Sequence, residues 1–424
     1  MKRITAMLLL LAILCSLGAC GQETKNQPQE EILATEPQPV DYIVFEPMEY
    51  PDYTFDHEPT IDEMRQMAVK AMRDMISVQW SVAEYTTFHK TSTGSGKLFE
   101  YLPTNTYAGM PYSNADGSLI QWFEFYDPET GRLDVGGDGQ ILNDTVGNTC
   151  AGCVAAAWST VCASIEGPCG SGSFTPAYNY VPVGGYQSMR VDSFNSFPTN
   201  MILEMNGKDV MFSCFAQVQP ADSLCSTPDV HAVMVIEPAH LVYNEDGTIN
   251  PDESYIVTQD QSLALGYPEM TEKTEDGYVY YTGHKERVFT FTELWDLGYI
   301  PVTTQEFAGL RPYEKPIVQF SKESYKTLDD VREGNIISNY PICVVRMYLT
   351  DSNGEKVLVE RVLLDKWDIP TGLARQFPIR QFVLQCTSDE FKAMLKKGET
   401  YTLSYEVSVS NGQVFTPVSL EVSG

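Results

Sequence analysis

Basic residues are scarce in this sequence. Lys and Arg together number 28 against 57 Asp and Glu, for a formal net charge of −29. So acidic a chain repels nucleic acid and anionic membrane surfaces, which excludes a nucleic-acid role. Histidine is scarcer still, with 5 residues in the whole chain, so each can be weighed individually as a candidate base. The N-terminal apolar run, Met7 to Leu14, is too short to cross a bilayer as a mature helix. There is no internal repeat. What the chain does not lack is core material. Hydrophobic residues make up 43% of its 424 positions, enough for two or three ordinary domains and too many for wholesale disorder.

The short apolar run follows Lys2 and Arg3 and ends in Leu17-Gly18-Ala19-Cys20. This tetrapeptide resembles the lipobox of bacterial lipoproteins, which are cut before the Cys and lipidated on its sulfur. A plain secretory signal with a small-residue cleavage site is the alternative. On the first reading, residues 1–20 are a signal peptide and lipidated Cys20. The mature chain is then extracytoplasmic, with the membrane as a partner through acyl chains on the outer face of the plasma membrane. Of the 10 Cys, Cys15 leaves with the signal and Cys20 carries lipid. The others are Cys150, Cys153, Cys162, Cys169, Cys214, Cys225, Cys343 and Cys386. In an oxidising compartment this even count permits full pairing. The pairs expected are Cys162/Cys169, Cys214/Cys225 and Cys343/Cys386.

Residues 21–58 are rich in Glu, Gln, Pro and Thr and read as an acidic, disordered tether. Thr60 and Glu63 then form a capping box ahead of Ile61, Met64, Ala68, Ala71, Met75 and Val78 at helical spacing. Loops dominate from Ser92 to about Gly147. A second helix starts near Cys150, with Val154, Ala157, Trp158 and Val161 on one stripe. Strands are expected over Val210 to Gln217, Val230 to Glu237 and Ser254 to Gln259, with a turn at Asn244-Glu245-Asp246-Gly247. From about Pro316, short alternating strands recur: Ile342 to Leu349, Lys356 to Leu363, Arg380 to Gln385, Tyr401 to Val409 and Val414 to Val422. Their spacing, with turns at Asp351-Ser352-Asn353-Gly354 and Ser410-Asn411-Gly412, suggests an immunoglobulin-like β-sandwich over 316–424. That segment carries no catalytic cluster, and a protein or glycan ligand is its expected partner.

Cys150 follows Gly147-Asn148-Thr149 and opens an Ala-rich helix. A helix N-terminus favours a thiolate and offers N–H groups to an oxyanion. Three structural roles compete with a nucleophile: a disulfide, a thioredoxin-like Cys-x-x-Cys with Cys153, and a zinc site adding Cys162 and Cys169. Zinc sites pair two close couples, and the second couple here is too widely spaced, so no metal is expected. Among the histidines, His57 lies in the tether, His89 near the first helix, and His240 and His284 in polar, loop-like stretches. His231 alone opens an apolar strand, and a Cys on a helix with a His on a later strand is the arrangement of a nucleophile and its base. Such an imidazole needs an acceptor on its second nitrogen. Asp260, and after it Gln259, on the following strand are the candidates.

These residues resemble the NlpC-type cell-wall peptidases, compact members of the papain-like superfamily. Gly109-Met110-Pro111-Tyr112 is similar to the family's Gly-x-Pro-Tyr motif, and Asn148-Thr149-Cys150-Ala151-Gly152-Cys153-Val154 to its Asn-Asp-Cys-Ser-Gly-x-Val. Pro220-Ala221-Asp222 is similar to its Pro-Gly-Asp turn, and His231-Ala232-Val233-Met234-Val235 to its His-Val-x-x-Val strand. The likeness covers roughly residues 100–262, with a long insertion between Cys150 and His231. Thr149, Ala151 and Ala221 depart from the family's usual Asp, Ser and Gly, and Asp260 stands where the family often has His. The resemblance implies an α+β fold: a papain-like peptidase domain over 59–315, with a helix-borne Cys and an antiparallel sheet, followed by the sandwich. It implies hydrolysis of amide bonds in peptidoglycan stem peptides by Cys150 and His231, without a cofactor. Tyr112, Tyr107 and Trp122 are the candidate substrate walls, with Tyr112 also a candidate oxyanion donor. A catalytically silent wall-binding lipoprotein on the same scaffold is the alternative, and acyl transfer or amidase chemistry by the same pair a third.

Overall fold

The computed structural model describes residues 48–83, 85–89, 98–112, 117–133, 147–165, 180–188, 199–262, 271–274, 277–364 and 374–424. Cys20, Cys169 and residues 21–47 lie outside them. The first helix, Ile61–Ser77, is set by its N-terminus. The Thr60 side chain accepts from the Glu63 N–H while the Glu63 carboxylate accepts from the Thr60 N–H, forming the expected capping box. One face of this helix, with Met64, Ala68, Met72, Met75 and Ile76, is buried. It packs on the helix Cys150–Ser159, which is buried on every side. An Ala-rich helix lets neighbours approach closely, so its lack of an amphipathic stripe suits a central position rather than a surface one.

Both helices contact a six-stranded sheet. In spatial order its strands are Gly283–Thr290, Tyr255–Gln261, His231–Val235, Ser223–Ser226, Tyr299–Thr303 and Val181–Pro182. Every neighbouring pair is antiparallel. A second six-stranded sheet includes Gln79–Val82 and Thr106–Ala108. The C-terminal part is a β-sandwich. A four-stranded sheet, Lys356–Leu363, Ile342–Thr350, Thr400–Val409 and Val414–Ser423, shares one core with a three-stranded sheet, Val318–Phe320, Asn335–Ser338 and Gln376–Pro378. The fold is therefore mixed α+β with a terminal sandwich. Most of the core falls into one cluster running from Tyr53 to Phe307 and another running from Val331 to Val422. All described residues nonetheless belong to a single compact unit.

Several sequence expectations are corrected. The end of the expected tether is ordered: Tyr53 is 2% exposed, its N–H donates to the Asn411 carbonyl at 3.0 Å, and its hydroxyl donates to Asp74 at 3.1 Å. Burying one aromatic ring outweighs the polar composition around it. Val210 to Gln217 is not a strand, because Lys208–Phe215 is a helix. Its buried Met211, Phe212, Cys214 and Phe215 follow helical periodicity, which β-type residues had masked. Arg380 to Gln385 is not a strand either. A single 3-10 turn, Ile379–Gln381, follows Pro378, and the Gln385 side chain donates to the Arg380 carbonyl at 2.6 Å. The expected cysteine pairs are corrected too, since Cys162, Cys214, Cys343 and Cys386 all carry free thiols. Cys343 lies beside the Ser118 hydroxyl at 3.4 Å and Cys386 beside the Leu328 carbonyl at 3.7 Å, in different surroundings. Cys162 faces Thr304 at 3.4 Å.

Candidate active site

Thr149 is the N-cap of the Cys150 helix, and its hydroxyl accepts from the Gly152 N–H at 3.0 Å. This holds Cys150 at the first helical position, where backbone N–H groups point outward and the dipole favours an anion. Cys153 is not its partner. One turn further on, its sulfur sits 3.3 Å from that of Met72, in the core against the first helix. Ahead of the helix, the Asn148 N–H donates to the Pro111 carbonyl at 3.1 Å, and Tyr112 bridges to Asn148. The Gly-x-Pro-Tyr segment thus runs beside the residues that lead into Cys150. It is tied down at its other end, where the Met110 N–H donates to the Met75 carbonyl at 2.8 Å.

The turn before the His231 strand is braced from below. Ala221 has a φ of 68°, in the left-handed region, which fits its standing where the resembled motif has Gly. Its carbonyl accepts from the Trp158 indole at 2.6 Å, linking the turn to the Cys150 helix. Asp222 is buried, accepts from the Gln219 N–H at 2.8 Å, and pairs with Arg65 of the first helix at 2.7 Å. Burial drives the Asp222 carboxyl above its usual range despite that cation.

His231 then meets Cys150. Its Nε2 donates to the Asp260 carboxylate at 2.6 Å, and the Cys150 thiol acts on the same ring, favouring its protonated form. Burial alone would lower the imidazole pKa, but Asp260 and Cys150 carry it up to about 10. Asp260 is fully buried. Burial pushes against its charge, yet hydrogen bonds from His231 and His284 hold it well below the usual carboxylate range. The register Gln259↔Met234 explains the choice between the two acceptor candidates. It sets Asp260 on the face of Val233 and His231, and Gln259 on the opposite face, because strand side chains alternate. Gln259 is buried there, and its Oε1 has no partner among the described residues. It is not the orienting group.

Two aromatic candidates are also reassigned. Tyr107 is 2% exposed within a cluster of Trp80, Tyr101 and Tyr280, and its hydroxyl accepts from the Leu102 N–H at 2.8 Å. Trp122 is fully buried and stacks on Tyr126 at 4.5 Å. Both rings are core, and of the three aromatics only Tyr112 stays partly exposed beside the Cys150 approach. Conversely, His284 is not in the loop that its polar surroundings suggest. It lies on the strand Gly283–Thr290, with Nδ1 2.5 Å from Asp260 Oδ1. Arg287 Nη1 on the same strand is 3.6 Å from Asp260 Oδ2. Among the described residues no group of His, Cys, Asp and Glu is arranged to hold a metal.

What this geometry can do chemically is activate a thiol: an imidazole between a helix-borne sulfur and a buried carboxylate. No family model matches the chain, and no curated protein matches it. A crystal structure of a pectate lyase from Pectobacterium carotovorum is similar over 26% of this chain and 27% of the other, at 8% identity and a TM-score of 0.13. An overlap that small carries no argument about fold or function.

Proposed function

We propose that the chain is a cysteine peptidase of NlpC type that hydrolyses amide bonds in peptidoglycan stem peptides. The observation that carries this reading is the contact series Cys150–His231–Asp260, with the sulfur at a helix N-terminus. The antiparallel sheet behind that helix supports a papain-like arrangement. The four ordered motifs, not the geometry, supply the substrate class. The lipobox-like Leu17-Gly18-Ala19-Cys20 supports a lipid-anchored location facing the wall.

In this reading His231 holds the proton of the Cys150 thiol. The thiolate attacks the carbonyl carbon of the scissile amide, and the oxyanion forms against N–H groups of the first helical turn, with Tyr112 alongside. His231 passes its proton to the leaving amine as the C–N bond breaks, leaving a thioester on Cys150. A water molecule, deprotonated by His231, attacks the thioester. The acid product departs and the thiol is restored. Asp260 keeps the ring in the tautomer protonated on Nε2 and stabilises the imidazolium.

Zymography on purified peptidoglycan of several wall types tests this. Clearing by the wild type and none by Cys150→Ser is expected. Absence of clearing by the wild type on every wall would overturn the reading in favour of a silent, wall-binding surface protein.

A further inference from the structure

We propose that His284 is a positioning residue for the reaction, acting through Asp260; this rests on the Cys150–His231 reading above. Asp260 is fully buried and its two oxygens are divided. Oδ2 accepts from His231 Nε2 at 2.6 Å. Oδ1 accepts twice from one residue, from the His284 ring Nδ1 at 2.5 Å and from its backbone N–H at 3.2 Å. A carboxylate held at one oxygen only can rotate about its Cβ–Cγ bond. Held at both, its plane is fixed, and with it the direction in which His231 is pulled. His284 thus sets the aim of His231 without touching sulfur or substrate.

The backbone is arranged for this contact. A Cβ on Gly283 would come within 2.3 Å of the Asp260 carbonyl, so only a glycine lets the two strands approach so closely one residue before His284. The register between the strands also slips next to this point, between Thr258 and Asp260. Such an irregularity re-aims side chains, and here it leaves Asp260 paired with His284. Arg287, 3.6 Å from Oδ2, adds charge without a hydrogen bond of normal length, so it does not substitute for the His284 donor.

The assay is the rate at which iodoacetamide alkylates Cys150 in the full chain at neutral pH. It is measured in wild type, His231→Ala, His284→Phe and His284→Asn, each checked for an unchanged unfolding transition. Asn keeps a donor close to the position of Nδ1, whereas Phe keeps ring volume and loses the donor. Alkylation about tenfold slower in His284→Phe and restored in His284→Asn is expected, the loss of one charge-assisted hydrogen bond on the path to His231. Wild-type rates in His284→Phe, with His231→Ala still slow, would overturn the positioning role and leave the Cys–His reading standing. A wild-type rate no faster than that of His231→Ala would overturn both. For variants that fail to fold, nitrogen NMR of the wild-type ring decides: a His284 protonated on Nδ1 supports the proposal, and a neutral ring protonated only on Nε2 contradicts it.

Discussion

Arg375 of the sandwich donates through Nη2 to the carbonyls of Ala163 at 2.7 Å and Ile165 at 2.5 Å, in the segment that leaves the Cys150 helix. Other sandwich side chains do the same nearby. The Ser410 hydroxyl donates to the Ser159 carbonyl at 2.6 Å and the Tyr340 hydroxyl to the Val161 carbonyl at 3.1 Å. The last carbonyls of a helix have no partner within it. Here the sandwich supplies one such partner, at Ser159, and then holds the segment that follows the helix at Val161, Ala163 and Ile165. Elsewhere, Glu124 pairs with the guanidinium groups of both Arg346 and Arg361. The sandwich is thus built into the support of the candidate nucleophile helix.

Its removal should therefore be felt at Cys150. Arg375→Ala is expected to destabilise the chain by about 3–5 kcal/mol, the loss of three hydrogen bonds from a charged donor to the carbonyls of Asn339, Ala163 and Ile165. A chain ending before Pro316 should lose cooperative unfolding. Thermal and urea unfolding of both check this. A truncated chain with a sharp transition and wild-type alkylation of Cys150 would show that the sandwich is dispensable.

Arg65→Met should cost about 3–5 kcal/mol, because it leaves Asp222 buried with its cation gone. Asp222 already sits above its usual range in the fold, so its ionisation opposes stability. The variant should accordingly recover part of the loss as pH falls and Asp222 takes a proton. Urea unfolding as a function of pH measures both effects, and a loss below 1 kcal/mol with no pH dependence contradicts them.

His231 gives stability a pH dependence of the same sign, in a higher window. Its pKa in the fold is about 10, above the ordinary imidazole value, so its contribution is complete below about 6.5 and is lost as pH rises through about 10. Asp260, held low, contributes above about 3.9 and loses that contribution in acid. Replacing Asp260 by Asn removes the strongest partner raising His231, so the alkaline loss should begin at lower pH than in wild type. Unfolding free energies from pH 6 to 10.5 in both chains settle this, and coincident curves would remove Asp260 from the account.

The Cys150–His231–Asp260 set was legible because each member sits at an element boundary with a sequence signal: a cap before the Cys, an apolar run after the His, a strand end at the Asp. The Thr60–Glu63 box was legible for the same reason. His284 was not, since its strand is only partly buried and its neighbours Lys285, Glu286 and Arg287 are charged. Its partner lies 24 residues away across an irregular register that sequence spacing does not encode. Tyr107 and Trp122 look alike as wall or core in a Gly-rich stretch, and only their three-dimensional stacking on Trp80 and Tyr126 distinguishes the two.

The free thiols make another expectation. Cys214, Cys343 and Cys386 are buried free thiols, so unreduced, denatured protein should take up alkylating label on all three. Intact-mass and peptide mapping check this. A mass showing either Cys214/Cys225 or Cys343/Cys386 bridged would contradict the structure described.

The most direct test of the central claim is neutral-pH labelling of the folded chain with iodoacetamide, mapped by peptide, in wild type and His231→Ala. Fast, selective alkylation of Cys150 ahead of the other buried thiols is expected, slowed about tenfold or more without His231. A Cys150 that reacts no faster than its neighbours, or as fast without His231 as with it, would contradict an activated Cys–His pair.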